Sequence, residues 1–237
     1  MYGGGYIQTQ GARAEAELYT FGAQQFVGRR GFFEVKSNNP LKPVLSSKNV
    51  RFTFNVKDKI AKLSPEKSGY PSNEFPFSQY KTSIPNVVWD INQRLVTMDA
   101  PDSIDIKDSY FYSTNKEQDS LVFNARSAIY DINKSALTIS GIPQINVADA
   151  AIVPDSNRVM ILENAVMRTL KNAKVLVDTA NKYHKLAKAN IKIYSRLRFE
   201  GDGVYQFVNS LGDTLDIKFD DFEMREPDKK KPEAAGL

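Results

Sequence analysis

The chain has 237 residues, of which 41% are apolar and 11% aromatic, with 14 Phe and 11 Tyr against one Trp. That supply of apolar surface excludes a disordered chain and is enough for a packed core. Thirty-two Lys and Arg against 28 Asp and Glu leave a net charge of +4, a slight surplus where non-specific nucleic-acid binding needs clustered charge. With no Cys and one His, the chain excludes disulfides, a Cys nucleophile and any zinc site built on several histidines or thiolates.

No run of about 18 apolar residues exists, so no membrane-spanning helix is expected. The N-terminus, Met1 to Tyr6 with Gly3, Gly4 and Gly5, lacks the basic-then-apolar pattern of a signal peptide. Strand-like sequence begins almost at once. A charged tail follows Met224, running from Glu226 through Pro227 and Lys229, Lys230 and Lys231. Two readings follow, a cytosolic protein or a piece of a longer exported chain; the second is the expectation, with 225–237 a disordered tail or linker.

In chain order, residues 10–36 alternate. Ala12, Ala14, Ala16 and Leu18 share one face, and Arg13, Glu15 and Glu17 the other. Gly22, Gly28 and Gly31 read as breaks in this segment. After a turn region around Pro40 and Pro43, Val50, Phe52, Phe54 and Val56 alternate with polar residues as an amphipathic strand.

Residues 58–86, with Pro65, Pro71, Pro76, Pro85 and Gly69, read as a long irregular loop or insertion. Tyr70, Phe75, Phe77 and Tyr80 interleave with its prolines. They either pin the loop to a sheet or form an aromatic ligand-binding platform. Two strands then flank a turn at Asn92 and Gln93. Asp99, Asp102, Asp105 and Asp108 follow at three-residue spacing. They lack the central Gly and closing Glu of a calcium loop and read as turn-capping carboxylates. A sub-boundary falls near 110–120.

One short phrase recurs along the chain and is densest from 121 onward: a small residue and Asn or Asp beside an apolar/polar alternation. It appears at 49–54, 124–131, 148–153, 163–167, 171–178 and 189–194. Recurrence of such a unit argues for stacked β-segments. Residues 163–190 hold neither Gly nor Pro and read two ways. Val166, Leu170, Ala173 and Val177 fit helical spacing, whereas Val175, Leu176 and Val177 continue the strand pattern. Beyond them, strands through 191–199, 204–208 and 215–219 form a three-strand antiparallel meander. Its turns are expected at Gly201–Gly203 and around Gly212.

Residues 121–153 resemble the OstA-like repeat of lipopolysaccharide-transport bridge proteins. The resemblance rests on Ala128, Ile129, Tyr130 and Asp131, on the polar pair Asn133 and Lys134, and on a second strand from Leu137 that closes on Gly141. Pro143 interrupts the next strand of the family pattern. Large exported β-repeat proteins of Gram-negative envelopes look similar over more of the chain. The resemblance implies a β-jellyroll or solenoid whose apolar interior holds acyl chains.

Other chemistry finds little support. His184 has no nucleophile-elbow sequence to serve, and no phosphate-binding glycine motif occurs. Asp149, Asp155, Asp216, Asp220 and Asp221 are the carboxylates that would supply a glycosidase pair.

The expected fold is mainly β: a stacked-strand repeat, β-solenoid or open jellyroll-like, over 1–224. The expected function is a non-enzymatic structural or binding module of a bacterial envelope, contacting lipid or glycan and neighbouring domains or a partner protein. No cofactor or metal is expected, and nucleic acid is disfavoured. A carbohydrate-active β-solenoid enzyme is the alternative.

Overall fold

The computed structural model describes residues 3–37, 39, 41–66, 73–177, 184–208 and 212–225. Its fold is mainly β, and every strand pairing among the described residues is antiparallel. At the N-terminal end, β1 (Gly5–Gln8) pairs with β2 (Ala12–Ala16). Both β2 and β3 (Leu18–Phe21) lie against the long strand β4 (Gln25–Val35). Ala12, Ala14 and Ala16 face inward, as their alternation requires.

Four hairpins then share one design. They are β5 (Leu45–Asn55) with β6 (Ile60–Pro65), β7 (Asn73–Phe75) with β8 (Tyr80–Thr82), β9 (Asn86–Asp90) with β10 (Leu95–Asp99), and, after β11 (Tyr110–Ser113) and β12 (Val122–Asn124), β13 (Ser127–Asp131) with β14 (Ala136–Ser140). Each is closed by four residues, and the fourth is left-handed: φ is 56° at Lys59, 54° at Gln79, 57° at Arg94 and 50° at Ser135.

In three of the four, an Asx side chain ends the first strand and accepts from the turn backbone. Asn55 Oδ1 takes the Asp58 N–H at 3.0 Å and Asp90 Oδ1 the Gln93 N–H at 2.9 Å. Asp131 Oδ1 takes those of Asn133 and Lys134 at 3.0 and 3.1 Å. In one copy of the recurring phrase that local bond is what Asp131 supplies, whereas Asn49, Asn164 and Asn172 of other copies take left-handed φ of 55°, 56° and 54°. The turns also stack: the Ile91 N–H donates to the Lys59 carbonyl and the Ile132 N–H to the Arg94 carbonyl, both at 3.1 Å.

Stacking puts inward side chains in two ladders that cross the sheet to β17 (Arg158–Ile161). One runs Phe52, Leu63, Val87, Met98, Ala128, Ile139, Val159. The other runs Ala61, Trp89, Val96, Tyr130, Leu137, Ile161. Every member is buried. Strand β5 bends the sheet, because its first residues pair with β7 and its later ones with β6. The sheet therefore curls so that β7, β8, β11 and β12 cover the ladders. Phe75 of β7 stacks on Tyr130 at 6.0 Å and 8°.

A second sheet is built from β15 (Ile145–Val147), β16 (Ala150–Val153), β18 (Leu170–Val177), β19 (His184–Ser195), β20 (Arg198–Val208) and β21 (Thr214–Arg225), in that spatial order. One apolar core runs through both sheets.

Several sequence expectations need correction. Residues 58–86 are no irregular insertion: they carry β6, β7 and β8, with 67–72 outside the described residues. The prolines misled because Pro65 ends a strand, Pro76 opens a turn and Pro85 precedes β9. Gly28 and Gly31 do not break the N-terminal segment either. They lie inside β4, where a Cβ would come within 2.2 and 2.7 Å of the Phe52 ring. Nor do Gly201 and Gly203 turn the chain. They lie within β20, and a Cβ on Gly201 would come 2.3 Å from the Asn190 carbonyl oxygen. The hairpin turn is Arg196–Leu197 instead, between the paired Ser195 and Arg198.

The described part of 163–190 is a short 3₁₀ turn and strands, so its strand reading holds and the helical one does not. The stretch 110–120 contains β11 and is tied to the second sheet, where the Arg196 N–H donates to the Gln118 carbonyl at 3.1 Å. Residues 226–237 lie outside the described residues.

Candidate functional site

The structure scatters most of the side chains that the sequence singled out. Phe75 and Tyr80 are fully buried, and Phe77 is half-buried with its ring edge-on to Tyr130 at 6.5 Å. They pin two layers together and present no platform to a ligand. Tyr70 lies outside the described residues. The Tyr80 hydroxyl donates to Gln118 Oε1 at 2.8 Å, and Gln118 Nε2 donates to the Ala165 carbonyl at 2.7 Å. Burial pushes the Tyr80 phenol far above its ordinary value, despite bonds from Ser113 and Gln118 that pull it down.

The candidate carboxylates do not converge. Asp149 sits in the β15–β16 turn and Asp155 in the 3₁₀ turn after β16. Asp216, Asp220 and Asp221 belong to β21, four strands away across the second sheet, or roughly 19 Å at the usual interstrand spacing. Asp220 pairs with Lys218 at 2.5 Å. Asp105 caps a 3₁₀ turn by accepting the Lys107 N–H at 3.1 Å, and that bond holds its carboxyl below the usual range. Among the described residues no group of three or more His, Asp or Glu is placed to hold a metal ion. Among the described residues no helix is long and apolar enough to cross a membrane.

What the structure does assemble is an apolar hollow of about 380 Å³ at the far end of the second sheet. It is lined by Val177, His184, Leu186, Tyr205, Phe219, Phe222 and Met224, with Glu223 at its edge. Strand register explains the grouping. Val177 lies opposite His184, Leu186 opposite Tyr205, and Tyr205 opposite Ile217, so these side chains share the inward face. Val177, Tyr205, Phe222 and Met224 also pack against the core, so the hollow continues the interior outward.

Beyond it no further layer covers the face among the described residues. Phe207, Leu215, Ile217 and Phe219 are between 39% and 60% exposed. A contiguous exposed apolar patch of this kind marks a contact site.

The single histidine is part of this hollow. His184 Nδ1 lies 3.0 Å from the Tyr205 hydroxyl, with the rings 5.6 Å apart. Tyr205 in turn meets Phe219 edge-on at 6.3 Å. The imidazole therefore orients an aromatic wall, with the Tyr205 hydroxyl as its hydrogen-bond partner among the described residues. His184 is exposed, as a surface residue would be, and its sequence neighbours gave no sign of the Tyr205 contact. The available signal was an alternation of Tyr205 and Phe207 against Leu215, Ile217 and Phe219 in the meander. No family model, curated protein or solved structure matches this chain.

Proposed function

We propose that this protein is a non-catalytic binding module of a bacterial envelope or exported protein, and that its open end takes an acyl chain or a similar apolar ligand. The observation that carries the reading is the hollow at β19–β21, which continues the hydrophobic core and is walled by Leu186, Tyr205, Phe219 and Phe222. Burying such walls against a ligand gains about 25 cal/mol per Å² of apolar surface removed from water. The OstA-like resemblance of residues 121–153 favours the same class of ligand and an envelope setting. The exposed ends of β20 and β21 also suit a neighbouring domain that closes the sandwich.

The test is uptake of an uncharged apolar fluorophore, N-phenyl-1-naphthylamine, followed by displacement with palmitate. Phe219→Ser should abolish most of the fluorescence gain and Ile129→Ser, at an exposed apolar position on the outer face of the first sheet, should leave it intact. Equal uptake by the two variants, or no uptake by the wild type, would dismiss the proposal.

A further inference from the structure

A second hollow, sharing no residue with the first, lies where β17 meets the start of β18. Its volume is about 700 Å³, and its lining includes Thr138, Ser156, Arg158, Arg168, Thr169 and Lys171. Register accounts for the convergence. Arg158 lies opposite Ser140, and Met160 opposite Thr138, so Arg158 and Thr138 stand on the outward side of the sheet edge. The Arg168 N–H donates to the Met160 carbonyl at 2.9 Å, which brings the segment after β17 back alongside it. Lys171 then projects from the bulged start of β18.

Charge makes this cleft unlike its surroundings. Three cations line it against one carboxylate, Asp155, which is engaged by Asn172 Nδ2 and Ser156 Oγ, both at 3.3 Å. Arg158, Arg168 and Lys171 have neither an ion pair nor a side-chain hydrogen bond among the described residues. Lys174 and, on β19, Lys185 and Lys188 extend the positive field along the same sheet, also without carboxylate partners among the described residues. Cations gathered in a concave site keep their full capacity for an oxyanion. The planar fork of arginine matches the oxygen spacing of a phosphoryl group.

We propose that this cleft binds a phosphoryl group, with Arg158 and Arg168 as its main ligands, Lys171 as a third charge, and the hydroxyls of Thr138, Ser156 and Thr169 completing the shell. The phosphoryl group belongs either to a soluble phosphorylated molecule or to a phospholipid headgroup. The proposal does not depend on the apolar hollow.

Two probes separate the sources. Calorimetry with inorganic pyrophosphate reads the soluble form. Flotation with phosphatidylcholine vesicles, with and without phosphatidic acid, reads the headgroup. The double variant Arg158→Gln/Arg168→Gln should lose about tenfold or more in affinity. The charge-matched control Lys57→Gln/Lys62→Gln, on the β5–β6 hairpin, should bind as the wild type does. Binding should weaken as salt is raised. Pyrophosphate affinity lost only in the arginine variant supports a soluble ligand, and phosphatidic acid-dependent flotation lost only in that variant supports a headgroup. Failure of the wild type to bind either probe, or equal losses in the two variants, overturns the proposal. Phe219→Ser should leave phosphate binding unchanged, so the two sites fail separately.

Discussion

Gly28→Ala should destabilise the protein, although alanine is the better strand residue on entropic grounds. Gly28 lies in the middle of β4, opposite Phe52 of β5 and Tyr19 of β3. A methyl group there would stand 2.2 Å from Phe52 Cζ and 2.6 Å from both Cε atoms. Carbon atoms rest at about 3.5 Å or more, so the ring would have to retreat by about 1.3 Å. It has nowhere to go. Phe52 is fully buried, and the centroids of Phe33, Tyr19 and Phe26 lie 5.3, 6.0 and 6.5 Å from its own.

Overpacking of this kind costs about 1–3 kcal/mol. Reduced freedom of the unfolded chain returns only about 0.4–1 kcal/mol, so the steric effect wins. The net loss of about 1–2 kcal/mol lowers Tm by about 2–8 °C in a domain of this size. Urea unfolding followed by circular dichroism measures it. Phe52→Leu should recover part of the loss in the Gly28→Ala background, a coupling that a double-mutant cycle isolates. Gly5→Ala, where nothing lies within 4 Å of the added carbon, is the neutral control. A Gly28→Ala protein as stable as the wild type would refute the close approach of β4 and β5.

Three further outcomes follow from named contacts. Tyr80→Phe strips Gln118 Oε1 of its buried donor and should cost about 1–3 kcal/mol in urea unfolding, although the core keeps its shape. Asp131→Ala removes two backbone acceptor bonds from its turn and Asp90→Ala removes one, so the first should cost more, each on the order of 1 kcal/mol. The Asp131 carboxyl is held below its ordinary value, chiefly by its bond to Lys134. Its contribution is therefore present above the unfolded-state pKa and is lost as pH falls below about 4, where the mutant and wild type should converge.

Alkaline pH should also destabilise the fold. Burial, helped by Glu15, pushes the Tyr19 phenol up to about 12, and burial drives Tyr80 and Tyr130 higher still. These groups stay neutral in the folded state while the unfolded chain ionises near pH 10. Stability is then flat at neutral pH and falls from about pH 10 upward. Unfolding midpoints at pH 8 and 10.5 test this, and Tyr19→Phe should soften the fall.

Which features were legible in the chain depends on how far their causes reach. The hairpin at Asp131 was readable because an Asx side chain closing its own turn is a contact over two or three residues. The same holds for Asp90, whereas the turn after Asn55 was absorbed into the supposed loop at 58–86. The meander was readable from alternation, but its first turn was misplaced. Gly201 admits the Asn190 carbonyl from a neighbouring strand, and nothing local distinguishes that use of glycine from a turn. The aromatic run of 75–80 was ambiguous for a related reason. Phe75 and Tyr80 are interior only because β5 divides its pairing between β6 and β7, and so curls one half of the sheet over the other. The apolar alternation over 205–219 was the one trace of the first hollow in the sequence, and the second left none, because each joins side chains from separate strands whose register is set elsewhere.

The sequence by itself determined that this is a strand protein, where the turns after Asp90 and Asp131 fall and which alternate residues of its clearest strands go inside. Those are consequences of backbone stereochemistry and two-residue periodicity, which act within a few positions along the chain. Only the tertiary structure decided how far the sheet curls, which end of the core stays uncovered and that Arg158 and Arg168 line one hollow. Each of those follows from pairing between distant strands, and that pairing is settled by the packing of the whole interior rather than by any short segment.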